Sequence, residues 1–269
     1  MSTEPIAPGG AGGATLEHHP ILRFDGLSKE FGRGGARVLA VDDVSLEVRE
    51  GELVTIVGPS GCGKSTLLKI AAGLQRASGG SVSSRGEEVT SPSPHIGMMF
   101  QTPVLFPWRT TLENVLLPVD VAKADRGAAQ TRAQTLLDRA GIGAFAQRYP
   151  TELSGGMQQR AALTRLLMQD PDLMLMDEPF GALDEFSRDD MNLHLLDVWA
   201  QSGKTVVLVT HSIQEAVFLA DRVMVMTPRP GRLAETIEVD LPRPRELAMT
   251  TTPEFQEIVL EVRRVLGAL

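Results

Sequence analysis

A glycine-rich segment that ends in Lys64 and Ser65 carries the clearest chemical signal in this sequence. Residues 58–65 fit the spacing G-x-x-x-x-G-K-[ST], with an apolar run at 53–57 before them and a predicted helix at about 64–74 after them. Glycines let the backbone direct its N–H groups at phosphate oxygens, and a helix N-terminus adds partial positive charge. The Lys64 ammonium can reach β- and γ-phosphates, and the Ser65 hydroxyl can bind Mg²⁺. The segment therefore predicts a nucleotide phosphate site in preference to a plain glycine turn.

Two adjacent carboxylates, Asp177 and Glu178, follow an apolar run at residues 173–176 that is predicted as a strand. In α/β folds, ligands bind beyond the carboxyl ends of the strands. One carboxylate can hold Mg²⁺, and the other can polarise an attacking water. A solvated strand end before Pro179 is the alternative, and the phosphate site upstream favours the catalytic interpretation.

A second candidate anion site is the helix start at Ser154, Gly155 and Gly156. Ser154 is a good N-cap residue, and the two glycines expose backbone N–H groups at the positive end of the helix. Alone, Ser-Gly-Gly is a weak signal that usually marks only a cap and a turn. Together with a phosphate loop in the same chain, it predicts a dimer in which the Ser154 segment of each copy closes on the nucleotide of the other.

Unbroken apolar runs of strand length must position these residues, and they lie at 53–57, 173–176, 206–209 and 223–226. Continuous apolarity marks strands that are buried on both faces, as in a parallel sheet covered by helices. Helices are predicted at residues 186–200 and 213–220. The alternation of strands and helices indicates an α/β fold.

Two regions depart from this alternation. Residues 21–48 and 81–99 carry alternating patterns broken by glycine, which predict a small antiparallel sheet. Residues from about 103 to 168 predict a helical insertion, with helices at 112–121, 128–140 and 157–169. An amphipathic helix is predicted at 254–266, with its apolar stripe formed by Phe255, Ile258, Val259, Val262 and Leu266.

The 269-residue chain is acidic, with 26 Lys and Arg against 34 Asp and Glu and a net charge of −8. This balance argues against a general nucleic-acid binder, which needs a basic face. Apolar residues make up 42% and aromatic residues 4%, so we expect a mainly aliphatic core. No apolar run approaches the ~20 residues that span a bilayer, and residues 1–20 lack the apolar region of a secretory signal. With Cys62 as its single cysteine, the sequence predicts a soluble protein of the reducing cytoplasm.

Six segments in this order resemble the motifs of the ATPase subunit of ABC transporters, and the resemblance extends over residues 21–232. They are the loop at 58–65, Gln101, Leu-Ser-Gly-Gly-Met-Gln-Gln-Arg at 153–160, Met-Asp-Glu-Pro at 176–179, Gly-Ala-Leu-Asp at 181–184, and His211. The resemblance implies an ATP hydrolase that uses ATP and Mg²⁺. The implied fold is an α/β P-loop NTPase (RecA-like) core with an antiparallel β subdomain and a helical subdomain insertion.

The resemblance also assigns roles to the matched residues. Gln101 touches Mg²⁺ and the attacking water and relays to the transmembrane partner, and Ser65 and Asp177 complete the metal site. Glu178 is the general base, and His211 contacts the γ-phosphate. Nucleotide contacts, from one copy or the other, are implied for Phe31, Gly58, Pro59, Ser60, Gly61, Cys62, Gly63, Lys64, Ser65, Thr66, Ser154, Gly155, Gly156 and Asp184. Asp184 is expected at the dimer interface.

Some positions depart from the family pattern. Phe31 stands where the family usually has a tyrosine that stacks on adenine; stacking needs the π-face and not the hydroxyl, so Phe31 can serve. An exposed hairpin aromatic is the alternative for Phe31. Ser212 replaces the usual aspartate after His211, and Arg-Leu-Leu at 165–167 replaces Arg-Ala-Leu. Neither change removes a catalytic group, and Cys62 is expected to be a small loop residue without thiol chemistry.

Segments 105–110, 176–184, 215–222 and 225–232 resemble nitrate/sulfonate/taurine-type importers. This implies the ATP-hydrolysing subunit of an importer for a small anion such as nitrate, sulfonate or taurine. The implied partners are a second copy of the chain, transmembrane permease subunits and, indirectly, a solute-binding protein, with no nucleic acid. The implied location is the cytoplasmic side of the inner (plasma) membrane, as a peripheral protein.

The expected domain organisation is a disordered leader at 1–20, an ATPase domain at 21–232 with the helical subdomain at about 103–168, and a C-terminal tail at 233–269 that ends in a helix. Phe106, Pro107 and Trp108 are expected either to line a groove for a short helix of the membrane subunit or to pack the insertion onto the core.

Other ABC systems remain as alternatives. Importers of other anions, amino acids or polyamines share parts of the pattern, and soluble ABC ATPases serve DNA repair, translation or cluster assembly. The single cassette, the missing coiled coil and the acidic charge count against the soluble kind. A P-loop kinase or GTPase lacks the Ser-Gly-Gly segment, and a nucleotide-binding scaffold commonly lacks the carboxylate at Glu178.

Overall fold

The computed structural model describes residues 20–32 and 37–267. The predicted leader at 1–20 lies outside these residues, apart from Pro20, with which the first strand begins. The strands are β1 (Pro20–Phe31), β2 (Val38–Arg49), β3 (Leu53–Val57), β4 (Gly79–Ser84), β5 (Glu87–Glu88), β6 (Ile96–Met99), β7 (Leu173–Asp177), β8 (Thr205–Val209), β9 (Arg222–Met226) and β10 (Leu233–Glu238). The α-helices are α1 (Lys64–Ala71), α2 (Thr111–Val115), α3 (Leu117–Ala122), α4 (Arg126–Arg139), α5 (Gly155–Gln169), α6 (Glu185–Ser202), α7 (Ile213–Leu219) and α8 (Pro253–Val265).

The central sheet has six strands in the order β10-β9-β3-β8-β7-β6, and all its pairings are parallel except that of β10 with β9. Its strands are buried on both faces, as the continuous apolar runs predicted. In β7, Met174 and Met176 pack into one apolar cluster with α5 to α8, whereas Leu173 and Leu175 pack into another with α1 and the small sheet. The α/β prediction is confirmed, and the carboxyl ends of β3, β7 and β8 meet at one edge.

A separate antiparallel sheet in the order β2-β1-β4-β5 covers one face. It was predicted from residues 21–48 and 81–99, but the last part of that range is wrong. β6 instead pairs in parallel with β7 at the edge of the central sheet. Its Gly97 allows the close approach of Leu166, because a Cβ there would lie 2.2 Å from Leu166 Cδ1. The short run Ile-Gly-Met-Met lacks a continuous apolar pattern because of this glycine, although it forms a strand of the central sheet.

The helical insertion contains α2 to α4 and packs on α5. The helix predicted at 112–121 is two helices, because the chain turns at Leu116, which ends α2 and precedes α3. Pro118 lies at the start of α3, where its missing N–H costs nothing. Thr110 caps α2 in a capping box with Glu113. A cluster of buried apolar side chains that includes Leu137 holds the helices together.

The C-terminal segment adds to the central layers. β10 pairs with β9, and α8 buries Phe255, Val259 and Val262 against the core, with Ile258 and Leu266 partly buried beside them. The predicted apolar stripe is confirmed. Among the described residues, no helix is both long and apolar enough to cross a bilayer.

Candidate nucleotide site

The glycine-rich loop connects the carboxyl end of β3 to the N-terminus of α1, as predicted. Gly63 is the N-cap residue of α1 and adopts φ 105°, in the left-handed region that favours glycine. A Cβ at this position would lie 2.5 Å from Val41 Cγ2 and 3.1 Å from the carbonyl oxygen of Ala40. Strand β2 thus presses on the loop, and both the backbone angle and the space require glycine here.

Lys64 is fixed inside the loop, with only 5% of its surface exposed. Its Nζ donates hydrogen bonds to the carbonyl oxygens of Gly58 at 2.7 Å and Pro59 at 3.1 Å. These bonds compensate the buried ammonium and hold the positive charge at the loop. The loop thus presents a fixed cation together with the N-terminal N–H groups of α1, which is an arrangement that suits an anion.

Ser65 and Asp177 are brought together from distant parts of the chain. Ser65 Oγ donates to Asp177 Oδ1 at 2.7 Å, which joins the first turn of α1 to the end of β7. Hydroxyl and carboxylate oxygens are the donors that Mg²⁺ prefers, so these two residues fit that ion. The described part of the chain holds no cluster of three or more His, Cys, Asp or Glu side chains that could hold a metal ion.

Gln101 follows β6 on the exposed surface. Its carbonyl oxygen accepts a hydrogen bond from Gln159 Nε2 at 2.9 Å. Gln101 is therefore tied to helix α5, the helix that begins after Ser154. It is not among the residues that line the cleft at the loop.

Glu178 and His211 form a close pair beyond the ends of β7 and β8. His211 Nδ1 lies 3.2 Å from Glu178 Oε2. Glu178 adopts φ 46°, which is uncommon for a residue other than glycine and concentrates at functional sites. Its N–H donates to the carbonyl oxygen of Val209 at 2.9 Å, so the strained turn is anchored to β8. This backbone turn holds the carboxylate at the cleft.

A cleft of about 500 Å³ joins most of these groups. It is lined by Phe31, Val38, Ala40, Ser60, Gly61, Gly63, Lys64, Ser65, Thr66, Glu178 and Arg229. Phe31 is 43% exposed, and Lys29 Nζ lies 5.3 Å from its ring centroid. Phe31 thus contributes a partly exposed aromatic ring to the cleft lining, and Glu178 contributes a carboxylate.

Sequence reasoning missed Val38, Ala40 and Arg229 in this lining. The segment that carries Arg229 follows β9 and bonds to β2, because Gly231 N–H donates to the carbonyl oxygen of Ala40 at 2.9 Å. That contact joins positions far apart in the chain. The signal available was the position of Arg229 just past the carboxyl end of a buried strand.

Cys62 is only 1% exposed and is not among the residues that line the cleft. A Cβ on Gly58 would lie 2.9 Å from Cys62 Sγ, so the thiol packs directly under the start of the loop. Its backbone N–H donates to the carbonyl oxygen of Pro59 at 3.3 Å. The side chain thus fills space beneath the loop.

The Ser154 segment lies elsewhere. Ser154 caps α5, with its Oγ accepting from the N–H of Met157 at 3.3 Å, and Ser154 and Gly155 are exposed. Neither residue lines the cleft, and their neighbours are on the turn before α6: a Cβ on Gly155 would lie 3.9 Å from Leu183 Cδ2. One chain therefore does not bring the two candidate anion sites together.

Asp184 stands beside this second helix start and caps α6. Its Oδ1 accepts from the N–H of Ser187 at 3.0 Å, and its Oδ2 accepts from Ser187 Oγ at 2.7 Å. The backbone N–H of Ser187 lowers the pKa of Asp184, so its side chain is an anion at neutral pH. The exposed face beside Ser154 therefore carries an ordered negative charge.

The family model described as ABC transporter matches residues 41–181 of this chain. The chain belongs to the ABC transporter ATP-binding family. The aliphatic sulfonates import ATP-binding protein SsuB of Bacillus licheniformis is 43% identical over 86% of this chain and 88% of its own length. The nitrate import ATP-binding protein NrtC of Synechococcus elongatus is 43% identical over 84% of this chain and 35% of its own length.

A solved ATP-binding cassette, in a dimeric post-hydrolysis state bound to ADP and Pi, shares the fold. Its TM-score is 0.73 at 32% identity, and the match covers 82% of this chain and all of that one. The predicted resemblance and the predicted P-loop NTPase fold are confirmed. The chain is an ATP-binding ABC ATPase with importer ATPases among its relatives.

Proposed function

We propose that this ABC ATPase powers uptake of a small anion of the sulfonate or nitrate kind through a separate permease. The observation that carries the hydrolytic part is the pair of Glu178 and His211, 3.2 Å apart beside the loop that holds Lys64. The solute class rests on the importer relatives, since an ATPase subunit need not contact the solute.

In the proposed reaction, Lys64 and the N-terminal N–H groups of α1 bind the β- and γ-phosphates of ATP. Ser65, Asp177 and Gln101 are the residues that would hold Mg²⁺. When bound, that ion neutralises charge on the phosphates. Glu178 accepts a proton from the attacking water, and His211 contacts the γ-phosphate and orients the carboxylate.

The exposed Ser154 segment supports a homodimer with two composite sites. Ser154 and Gly155 are exposed and do not line the cleft of their own chain, and the structurally similar cassette is dimeric. In the proposed dimer, the N-terminus of α5 from one copy meets the phosphates bound by the other. Asp184 lies beside Ser154 and would contact the facing copy.

An apolar groove of about 660 Å³ is the proposed docking surface for the permease. Its lining includes Met98, Phe100, Pro103, Leu117, Val121 and Leu166, from the central sheet edge and the helical insertion. A short amphipathic helix of a membrane subunit would bury its apolar face there. Docking of this kind would hold the ATPase at the cytoplasmic side of the membrane as a peripheral subunit, with the solute-binding protein as an indirect partner.

Phe106, Pro107 and Trp108 are not part of that groove lining. Phe106 and Trp108 stack with ring centroids 5.0 Å apart, and Trp108 is 70% exposed. Neither lining of the groove nor packing onto the core describes this pair, because it lies outside the groove lining and Trp108 is exposed; we call the pair the aromatic ridge. We propose that the ridge borders the permease contact, where exposed aromatic residues commonly anchor partners.

Helix α5 links the proposed groove to the proposed dimer interface. Arg165 donates from Nη1 to the carbonyl oxygen of Val104 at 2.8 Å and from Nη2 to that of Pro103 at 2.9 Å. Gln159 of the same helix holds the carbonyl of Gln101. Closure at the N-terminus of α5 would therefore move the segment at 101–104 with it.

The decisive experiment is Glu178→Gln, which keeps the shape of the side chain and removes the base. We expect phosphate release to fall by about 10²- to 10⁴-fold. Binding of a fluorescent ATP analogue should stay near the wild-type level, and an ATP-bound dimer should accumulate in light scattering. The matched control is Glu257→Gln, an exposed position on α8. Phosphate release by Glu178→Gln at the wild-type rate would refute the general-base role.

The solute is tested separately, by reconstituting the wild-type chain with its permease and a solute-binding protein in vesicles. Sulfonate, taurine or nitrate should stimulate ATP hydrolysis and accumulate inside. Stimulation by an amino acid or a polyamine instead would reassign the importer class while leaving the ATPase assignment in place.

A further inference from the structure

Helix α7 follows His211 directly and is almost wholly buried. Its N-cap is Ser212, whose Oγ accepts from the N–H of Glu215 at 3.3 Å. Residues 215–219 are all buried, and Glu215 is the one acidic residue among them, with 6% of its surface exposed. A carboxyl group at such a position costs free energy unless its surroundings compensate it. No part of the proposed hydrolytic mechanism uses it.

The surroundings of this carboxyl come from two elements. Thr210 and His211 lie on its own side, in the turn after β8, and Asn192 and Arg188 face it from α6. Thr210, Asn192 and Arg188 each favour the ionised form of this carboxyl. Burial is the larger influence and raises the pKa of Glu215.

Part of this cluster is left without hydrogen bonds. Within the described residues, Glu215 Oε1, Asn192 Oδ1 and Arg188 Nε are all solvent-inaccessible and have no partner. Two of these three atoms are acceptors, and a protonated carboxyl carries a donor of its own. Unsatisfied buried polar atoms are rare in native proteins and call for a functional or structural reason.

Helix α6 connects this cluster to the proposed dimer interface. Arg188 Nη2 donates to the carbonyl oxygen of Leu183 at 2.8 Å, and Asp184 caps the same helix. Asn192 lies further along α6 on the same buried side. The carboxyl of Glu215 is therefore placed between the turn that carries His211 and the helix that carries Asp184.

We propose that Glu215 is a positioning residue, and that the buried polar cluster it forms with Asn192 and Arg188 fixes the His211 turn against helix α6. Because of this connection, His211, which contacts the γ-phosphate in the proposed reaction, moves together with the Leu183–Asp184 turn. That turn faces the other copy in the proposed dimer. This inference rests on the proposed function, because it assigns Glu215 to the hydrolytic geometry of that same site.

The test compares Glu215→Ala with Glu215→Gln, using ATP-analogue affinity, KM, kcat and thermal unfolding. A loosened His211 turn should lower the kcat of Glu215→Ala by about 10- to 100-fold, since small misplacements at a reacting centre are costly. Its KM and its affinity for the analogue should change less than about twofold, because Lys64 and the loop are untouched. Glu215→Gln keeps the shape and supplies a donor, so its kcat should stay within about threefold of wild type.

A second variant, Asn192→Leu, keeps the experiment decisive if Glu215→Ala fails to fold. It should show the same loss in kcat alone, and, where Glu215→Ala folds, the double variant Glu215→Ala/Asn192→Leu should be no worse than Asn192→Leu. Equal losses in Glu215→Gln and Glu215→Ala, a change in KM in place of kcat, or unchanged kcat would each overturn the proposal. So would additive losses in the double variant.

The outcomes separate this inference from the proposed function. If the wild-type chain hydrolyses ATP and Glu178→Gln abolishes hydrolysis, the proposed function stands whatever Glu215 does. If Glu178→Gln hydrolyses ATP as fast as wild type, the proposed function fails before Glu215 is considered. The remote Glu257→Ala serves as the control for loss of a carboxylate.

Discussion

The N-termini of α1 and α5 are both expected to contact phosphate, but they differ in how many groups of the binding site are already in place around them. At α1, the Lys64 ammonium is buried on two loop carbonyls and Ser65 is bonded to Asp177, so contacts from distant elements preorganise the site within one chain. At α5, Ser154 and Gly155 are exposed, and Ser154 is bonded to its own helix. One chain therefore builds one half of the proposed catalytic centre within itself, at the N-terminus of α1, and we call this the completed half. It carries the other half on its exposed surface, at the N-terminus of α5, and we call this the outward half.

The largest effect is expected from Lys64→Ala, which removes the fixed charge of the completed half. Charge-assisted hydrogen bonds to phosphate are strong, so we expect ATP affinity to fall by about 100-fold or more and hydrolysis to be lost. Titration with a fluorescent ATP analogue measures this. Lys69→Ala, later on the same helix, should bind as wild type does. Normal affinity in Lys64→Ala would mean that the cleft at this loop is not the nucleotide site.

The outward half is tested by Ser154→Arg, which places a bulky cation at the N-terminus of α5. We expect binding of the analogue to each chain to be unchanged and hydrolysis to fall by about 10²-fold or more, because closure of the dimer is blocked. Ser154→Thr keeps a hydroxyl cap and should remain active. If Ser154→Arg hydrolyses ATP at the wild-type rate, the composite site is refuted and the two helix starts differ for another reason.

Sequence patterns predicted the position of the glycine-rich loop between β3 and α1 because its signals are local. Lys64, Ser65 and the apolar strand before them lie within one short segment, and the strands buried on both faces read as unbroken apolar runs. The irregular β6 was misassigned because its pairing with β7 depends on distant residues. The break at Leu116 was missed because the apolar pattern continues through both helices.

Long-range contacts explain the rest of what the sequence did not predict. Arg229 reaches the cleft because Gly231 bonds to Ala40 on β2, a backbone contact with no side-chain signature. Glu215 reads in sequence as an ordinary polar helix residue, and its burial becomes evident only when α6 and α7 are packed. Both side chains depend on tertiary pairing, which local periodicity does not encode.

A smaller effect is expected at Phe31, whose ring would stack on the adenine base of the ATP that the completed half binds by its phosphates. Stacking on an aromatic ring contributes about 1–3 kcal/mol, so Phe31→Ala should weaken ATP binding by about 5- to 160-fold. Phe31→Tyr keeps the π-face and should bind normally. Affinities for ATP and for inorganic triphosphate should be measured together. Equal binding of ATP by Phe31→Ala and wild type would favour the exposed hairpin aromatic.

The smallest effect is expected at Cys62. The rate at which a thiol is alkylated measures directly how accessible each half is. Because the thiol is 1% exposed beneath the loop, a maleimide should label wild-type protein slowly, with little further change when ATP is added. In the matched variant Cys62→Ser/Ser154→Cys, the new thiol is exposed and should label fast without nucleotide. Adding ATP together with Glu178→Gln should then slow that labelling, because a closed dimer covers Ser154. Rapid labelling of Cys62 would contradict its burial beneath the loop. Labelling at position 154 that does not depend on ATP would contradict the proposal that a second copy covers the outward half.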